Sequence, residues 1–166
     1  MIEWLIDLVS LFLHYDVFWY SVVLFFSLIL LFYSRDRKVF ITALLLVLAT
    51  TFAAKAFIAE DRPCVAVPGR VDCPIDYGSP SGHAAVAIVL LLGAIGTNLF
   101  SSYLLLGLLI FFSRLWLGVH SIEQIVAGIA FGALMYFLVF DVKNRFERVD
   151  FGFVRNNVFL EDSEWD

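Results

Sequence analysis

Long uncharged stretches alternate along the chain with short segments that carry charge or turn-forming residues. Residues 17–34 contain no charge, residues 39–59 contain only Lys55, and residues 84–113 contain no Asp, Glu, Lys, Arg or His. About 20 helical residues, rising about 1.5 Å each, cross a hydrocarbon core of about 30 Å, so the first two stretches each predict one membrane-spanning helix. The third is too long for a single span. Gly96-Thr97-Asn98 and Ser101-Ser102 interrupt it, which predicts a tight hairpin between a third span over 81–98 and a fourth over 101–119. A fifth is expected over 121–140. The N-terminal segment has a different pattern: Glu3, Asp7, Ser10 and His14 recur at helical spacing among Trp4, Leu5, Leu8, Val9, Leu11 and Phe12. This predicts an amphipathic helix lying flat in the membrane interface, with a sixth, shallow span as the alternative. Glu3 and Asp7 stand where a cleavable signal peptide would carry a basic region. The expected organisation is an all-α membrane bundle: an interfacial helix over 1–16, a transmembrane core over 17–140 and a cytoplasmic tail over 141–166.

Composition agrees with the pattern. At 61% hydrophobic and 16% charged, with a mean hydropathy of +0.90, the chain lies far from a soluble domain, which is roughly 45–50% apolar and about 25% charged. A net charge of −5 and eleven scattered Lys and Arg residues exclude a nucleic-acid partner, whose phosphates need clustered cations. Short basic loops stay cytoplasmic, and Arg35, Arg37 and Lys38 fall on the same side as Lys143, Arg145 and Arg148 in a five-span topology. The loop over 60–80 and the turn at His120 then face outward from a multi-pass protein of the cell membrane, with the N-terminal helix on the same side. Cys64 and Cys73 both lie in that loop, where an oxidising compartment favours a disulfide over two free thiols. The tail mixes basic and aromatic residues before Glu161-Asp162-Ser163-Glu164-Trp165-Asp166, a solvated or membrane-facing appendage. Gly128 and Gly132 form a GxxxG on the fifth span, a device for close helix packing within the bundle or in a dimer, and a monomer is the favoured reading.

Ionisable residues inside spans are costly and point to function. Away from the cytoplasmic flanks they are Lys55, His83, Arg114, His120 and Glu123, and the predicted topology brings all of them to the outer end of the bundle, level with Arg62 and Ser81. Alone, each has a bland explanation as a snorkelling cation or a packed imidazole. Together they suit a phosphate. Lys55, Arg62 and Arg114 can neutralise a dianion, the guanidinium groups in bidentate fashion. Ser79-Pro80-Ser81-Gly82-His83 reads as a helix start, with Ser79 as N-cap, Pro80 at the first helical position and free backbone N–H groups from Ser81 onward to bind an anion. Gly82 lets the phosphate approach the backbone closely. The two imidazoles supply a nucleophile and a proton donor. No Asp, His or Cys cluster has metal-ligand spacing, so no metal or other cofactor is expected.

In order and spacing, Lys55-Ala-Phe-Ile-Ala-Glu-Asp-Arg62-Pro63, then Pro80-Ser81-Gly82-His83, then Ser113-Arg114 with His120 resemble the three signature motifs of the type 2 phosphatidic acid phosphatase family. That family comprises membrane-bound lipid phosphate phosphatases related to vanadium haloperoxidases and bacterial acid phosphatases. The resemblance implies a metal-independent hydrolase acting on a lipid phosphate or diphosphate. In it His120 attacks phosphorus to give a phosphohistidine, and His83 protonates the leaving oxygen and later activates water. Lys55, Arg62, Ser81, Gly82 and Arg114 hold the phosphoryl oxygens. One position departs from the pattern: Gln124 stands where the family usually has Asp, four residues after the nucleophile, with Glu123 just before it. Either Gln124 orients His120 through its carbonyl oxygen, or Glu123 turns inward and supplies the carboxylate. The departure also keeps open a catalytically weak or silent lipid-phosphate-binding protein, and a phosphotransferase would differ from a hydrolase only in its acceptor.

Overall fold

The computed structural model describes residues 2–161. Seven helices follow one another: α1 (Ile2–Phe12), α2 (Asp16–Tyr33), α3 (Arg37–Ile58), α4 (Pro63–Ala66), α5 (Gly82–Gly93), α6 (Phe100–Trp116) and α7 (Ile122–Glu161). Three of them, α2, α3 and α7 over Ile122–Glu147, are long and apolar enough to cross a membrane. The apolar helices α5 and α6 have 12 and 17 residues. The chain is thus a helical, multi-pass membrane protein, and among the described residues three helices meet the length of a full span. The expected third span over 81–98 contracts to Gly82–Gly93 because its far end turns early. The Ala94 N–H reaches back to Leu90 and Leu91, Gly96 adopts a φ of 74°, and a Cβ on Gly93 would come within 2.6 Å of the Phe40 ring.

Helix α5 is the axis of the bundle, packed against α3, α6 and α7. Its Ala84, Ala85, Val86, Ala87, Val89 and Leu90 are all buried. The approach of α7 is close because Gly128 faces the Ser81 carbonyl and Gly132 the Ala85 carbonyl, where any Cβ would collide with backbone. The GxxxG therefore serves packing inside the bundle. The outward faces of α2, α3, α6 and α7 remain apolar, with Phe25, Leu45, Phe52, Leu105 and Leu134 exposed, as a lipid-facing surface requires.

The basic segment after α2 and the α5–α6 turn lie at one end, where the Arg35 guanidinium packs on Gly96 and Lys143 pairs with Asp36. No break in α7 marks the expected end of the fifth span near residue 140. Asp141 pairs with Arg145 and Lys143 with Glu147, both one helical turn apart, so charge continues the helix beyond the apolar run. The Arg148 side chain and the acidic end over 162–166 lie outside the described residues.

At the opposite end α1 turns its polar stripe toward the protein. The Asp7 carboxylate accepts from Trp116 Nε1 at 2.7 Å and from Arg70 at 3.2 Å, Ser10 is buried, and Trp4, Leu5, Leu8 and Phe12 face outward. Cys64 and Cys73 form the expected disulfide. The loop it closes docks on the turn after α6, where the Arg70 N–H donates to the Leu117 carbonyl at 3.0 Å and Gly69 packs on Gly118. Gly118 takes a φ of 71°, a conformation that favours glycine, and the reversal it permits brings His120 over the end of α5.

Candidate active site

Three helix ends and two loops enclose a cavity of about 360 Å³ lined by Lys55, Arg62, Gly82, His83, Arg114 and His120. Lys55 comes from the last turn of α3 and Arg62 from the segment that enters α4. Their charges meet the Asp76 carboxylate: Lys55 Nζ pairs with Oδ2, and Arg62 Nη2 donates to Oδ1 at 2.6 Å while its Nε donates to the Asp76 carbonyl at 2.9 Å. Burial raises the Asp76 pKa, but the hydrogen bonds and charges of Lys55 and Arg62 outweigh it and hold this carboxyl below its ordinary range. Arg114, in the last turn of α6, is only 1% exposed. Its Nη1 lies 3.3 Å from His83 Nε2 and 3.4 Å from His14 Nδ1, and its Nη2 is buried with no hydrogen-bond partner. Ser81 Oγ is likewise buried and unpartnered. A buried guanidinium with a free N–H and no carboxylate against it is a costly arrangement that an anion in the cavity would relieve.

The His120 ring is fixed from both sides. Arg62 Nη1 approaches Nε2 at 3.0 Å, and Gln124 Oε1 lies 3.1 Å from Nδ1. A guanidinium only donates, so Nε2 carries the lone pair; the amide oxygen only accepts, so Nδ1 carries the proton. That is the tautomer a nucleophile attacking through Nε2 needs. Burial, and then the Arg62 charge, push the His120 pKa down to about 3, so the imidazole is neutral near pH 7. His83, in the first turn of α5, lies against the Trp19 ring of α2 in a tilted arrangement, with ring centroids 4.3 Å apart. Trp19, Tyr20, Leu48 and Phe52 extend the cavity wall between α2 and α3 toward the lipid-facing surface.

This geometry can bind a phosphoryl group among three cations, with one imidazole poised to attack it and a second beside it. A family model described as PAP2 superfamily matches residues 38–148, which carry every one of these site residues except His14 and Trp19 with its neighbour Tyr20. The chain belongs to the PAP2 superfamily. Its fold is similar to that of a transmembrane PAP2-type phosphatidylglycerolphosphate phosphatase from Bacillus subtilis, with a TM-score of 0.63 at 19% identity, over 86% of this chain and 78% of that one. No curated protein matches the sequence.

Within this PAP2 site the sequence-predicted residues fall into three groups. Lys55, Arg62, Gly82, His83, Arg114 and His120 share the cavity, with Ser81 buried behind it. Gln124 is buried against His120. Glu123 lies exposed on the outer face of α7, turned away from the imidazole that Gln124 contacts. The helix start differs from expectation. Ser81, not Ser79, is the N-cap of α5, because the Ser81 N–H is spent on the Gln124 carbonyl at 3.0 Å and tethers this stretch to α7 in an extended conformation. Free N–H groups of the PAP2 helix therefore begin at Gly82, whose missing Cβ leaves room for Thr51 of α3.

Three participants are not in the predicted set. Asp76 lies in a polar loop, where a carboxylate carries no signal of its own. Glu60 donates nothing to the cavity but touches Gln124. His14 belongs to the polar stripe of α1, and a signal was present: the chain has three histidines, and all three meet at the PAP2 cavity. Burial, followed by the Arg114 charge, lowers the His14 pKa. Among the described residues no group of three His, Cys, Asp or Glu is arranged to hold a metal ion.

Proposed function

We propose that this protein is a metal-independent lipid phosphate or diphosphate phosphatase that works through a phosphohistidine at His120. The observation that carries the reading is the His120 ring itself, with Nε2 unprotonated, held by Arg62, and opening on a cavity shared with His83 and a partly unpartnered Arg114. The Nε2 lone pair forms the N–P bond as the P–O bond breaks, and its electron pair leaves with the lipid oxygen. His83 gives that oxygen its proton. His83 Nε2 faces the Arg114 donor, so His83 takes up this proton from the incoming phosphate group or from solvent once the phosphate draws Arg114 toward itself. Neutral His83 then accepts a proton from the water that attacks phosphorus and returns His120 to its resting state. Lys55, Arg62 and Arg114 supply the charge neutralisation that phosphoryl transfer demands.

The substrate chain is accommodated along the apolar wall between α2 and α3, and all of α2, α3, α5, α6 and α7 contribute to the membrane-embedded core. Basic residues at the far end support an orientation in which the cavity opens on the extracytoplasmic side of the cell membrane. The inward-turned GxxxG favours a monomer. Purified protein in detergent is expected to release phosphate from one or more members of a panel containing phosphatidate, phosphatidylglycerol phosphate, undecaprenyl diphosphate and lipid A 1-phosphate. Release should persist in EDTA, be blocked by vanadate through its five-coordinate resemblance to the transition state, and vanish in His120→Ala. Binding without release would leave a silent lipid-phosphate receptor; EDTA-sensitive turnover restored by magnesium would overturn the mechanism. A membrane-impermeant thiol reagent applied to intact cells after mild reduction should label Cys64 and Cys73, and labelling only after lysis would reverse the orientation.

A further inference from the structure

Gln124 joins all three site motifs. Its backbone carbonyl accepts from Ser81, its Oε1 faces His120 Nδ1 at 3.1 Å, and its Nε2 donates to Glu60 Oε1 at 2.9 Å and to the Asp61 carbonyl at 2.8 Å. Both protons of the amide are therefore used. Rotating the amide by half a turn would set its oxygen against two acceptors, so residues 60 and 61 decide which end meets the imidazole. The backbone at residue 78 locks the arrangement. The Gly78 N–H donates to the Glu60 carbonyl at 2.7 Å, and a Cβ at this position would come within 2.5 Å of the Gln124 amide. An aspartate at position 124 would be one methylene shorter and would have no protons to offer Glu60.

From this we infer that Glu60 is a positioning residue for His120, acting through the Gln124 amide, so that the carboxylate absent from position 124 is supplied one hydrogen bond further out. The inference rests on reading His120 as the nucleophile. When the Nε2 electron pair forms the N–P bond and the P–O pair departs with the lipid oxygen, which takes its proton from His83, the ring becomes cationic and keeps its proton on Nδ1. The Nδ1–H to Oε1 hydrogen bond then gains strength, and the Glu60 carboxylate at the other end polarises the amide in the favourable sense. Because Glu60 itself is exposed, its charge is screened, and the larger share of its effect is orientation.

The test combines single-turnover trapping of the phosphoenzyme with proton NMR of 15N-histidine-labelled protein in micelles. Glu60→Ala should slow phosphoenzyme formation about tenfold at unchanged KM, the scale of one hydrogen bond to a charged group. Glu60→Gln retains an acceptor and should lose less. Gln124→Asp should restore the rate in a Glu60→Ala background, because the carboxylate then meets Nδ1 directly. Equal rates in Glu60→Ala and wild type, or a loss that Gln124→Asp leaves undiminished, would overturn the relay. Independently of turnover, the His120 Nδ1–H resonance, assigned by its absence in His120→Ala, should move upfield in Glu60→Ala and less in Glu60→Gln. An unmoved resonance also overturns the inference. A moved resonance in protein that releases no phosphate from any lipid supports the relay and rejects the phosphatase reading alone.

Discussion

The two cationic sides of the cavity are built on opposite principles. Lys55 and Arg62 share the Asp76 carboxylate, and Arg62 is also held by the Val119 carbonyl at 3.1 Å, so both cations on this side are partnered and their charge is partly neutralised. Arg114, buried to 1% exposure, has two imidazoles and the Ser113 hydroxyl around it, no carboxylate, and one N–H without a partner. The first side is preorganised, with its stability secured locally. The second keeps a buried guanidinium N–H without a protein partner, and under the proposed function an anionic substrate would satisfy it. A binding site of this kind concentrates its ligand affinity on the uncompensated group, since there the ligand removes a penalty in addition to forming a contact.

The largest expected effects separate these two sides. Arg114→Met should reduce phosphate release by about a hundredfold or more, on the scale of losing a transition-state donor. Its melting midpoint in detergent should hold or rise, because an uncompensated buried charge has been replaced by an apolar chain of similar length. Arg62→Met should reduce release as strongly, yet destabilise by about 1–2 kcal/mol, since it leaves Asp76 with Lys55 as its one cation and removes the donors to the carbonyls of residues 76 and 119; the value is discounted because Asp76 is about a third exposed. If Arg114→Met melts well below Arg62→Met, the division between a satisfied and an unsatisfied side is wrong.

A second contrast is with pH. His120 has a folded-state pKa of about 3 against an ordinary 6.5, lowered by burial and then by Arg62. The unfolded chain therefore binds a proton below pH 6.5 that the folded protein refuses. Stability from this group is fully present above pH 6.5 and is lost as pH falls toward 3, by about 1.4 kcal/mol per unit within the window. His14, whose pKa is also lowered, and Asp76, held below the carboxylate range, act in the same direction, Asp76 at lower pH. Acidification from pH 7 to 5 should thus lower the melting midpoint, and His120→Gln should flatten the curve. An equal slope in wild type and His120→Gln would show that the imidazole is not the group responsible.

The sequence made the two sides unequally legible. Lys55, His83, Arg114, His120 and the exposed Glu123 stood out because an ionisable group at the end of an apolar run is expensive enough to demand a reason, and Arg62 joined them as a loop cation at the same level. Asp76 and Glu60 did not, because a carboxylate in an aqueous loop costs nothing and its partner is decided by how the loop folds back. Spacing left the contact to His120 open between Gln124 and Glu123, and the structure assigns it to Gln124, whose second contact to Glu60 depends on the loop at Gly78 lying on the amide. For the fold, uncharged runs located α2, α3 and the core of α7 to within a few residues. The ends of α5 were less accessible, since Phe40 packing on Gly93 and the tether from Ser81 to Gln124 set them from outside the helix.

The smallest expected effect tests whether Asp76 competes with the ligand or prepares for it. A phosphate oxygen reaching Lys55 and Arg62 must share or replace the carboxylate that holds them. Asp76→Asn removes that negative charge but leaves Arg62 fixed by two backbone carbonyls, those of residues 76 and 119, and by the His120 ring. Arg62 should therefore stay in place while both cations become more available. Vanadate inhibition of Asp76→Asn should tighten by about two- to fivefold, a modest gain because a partly exposed pair is worth about 1 kcal/mol or less. Weakening by tenfold would mean that Lys55 needs the carboxylate to stay aimed at the cavity, and the preorganised side would then depend on Asp76 for its geometry as well as for its charge balance.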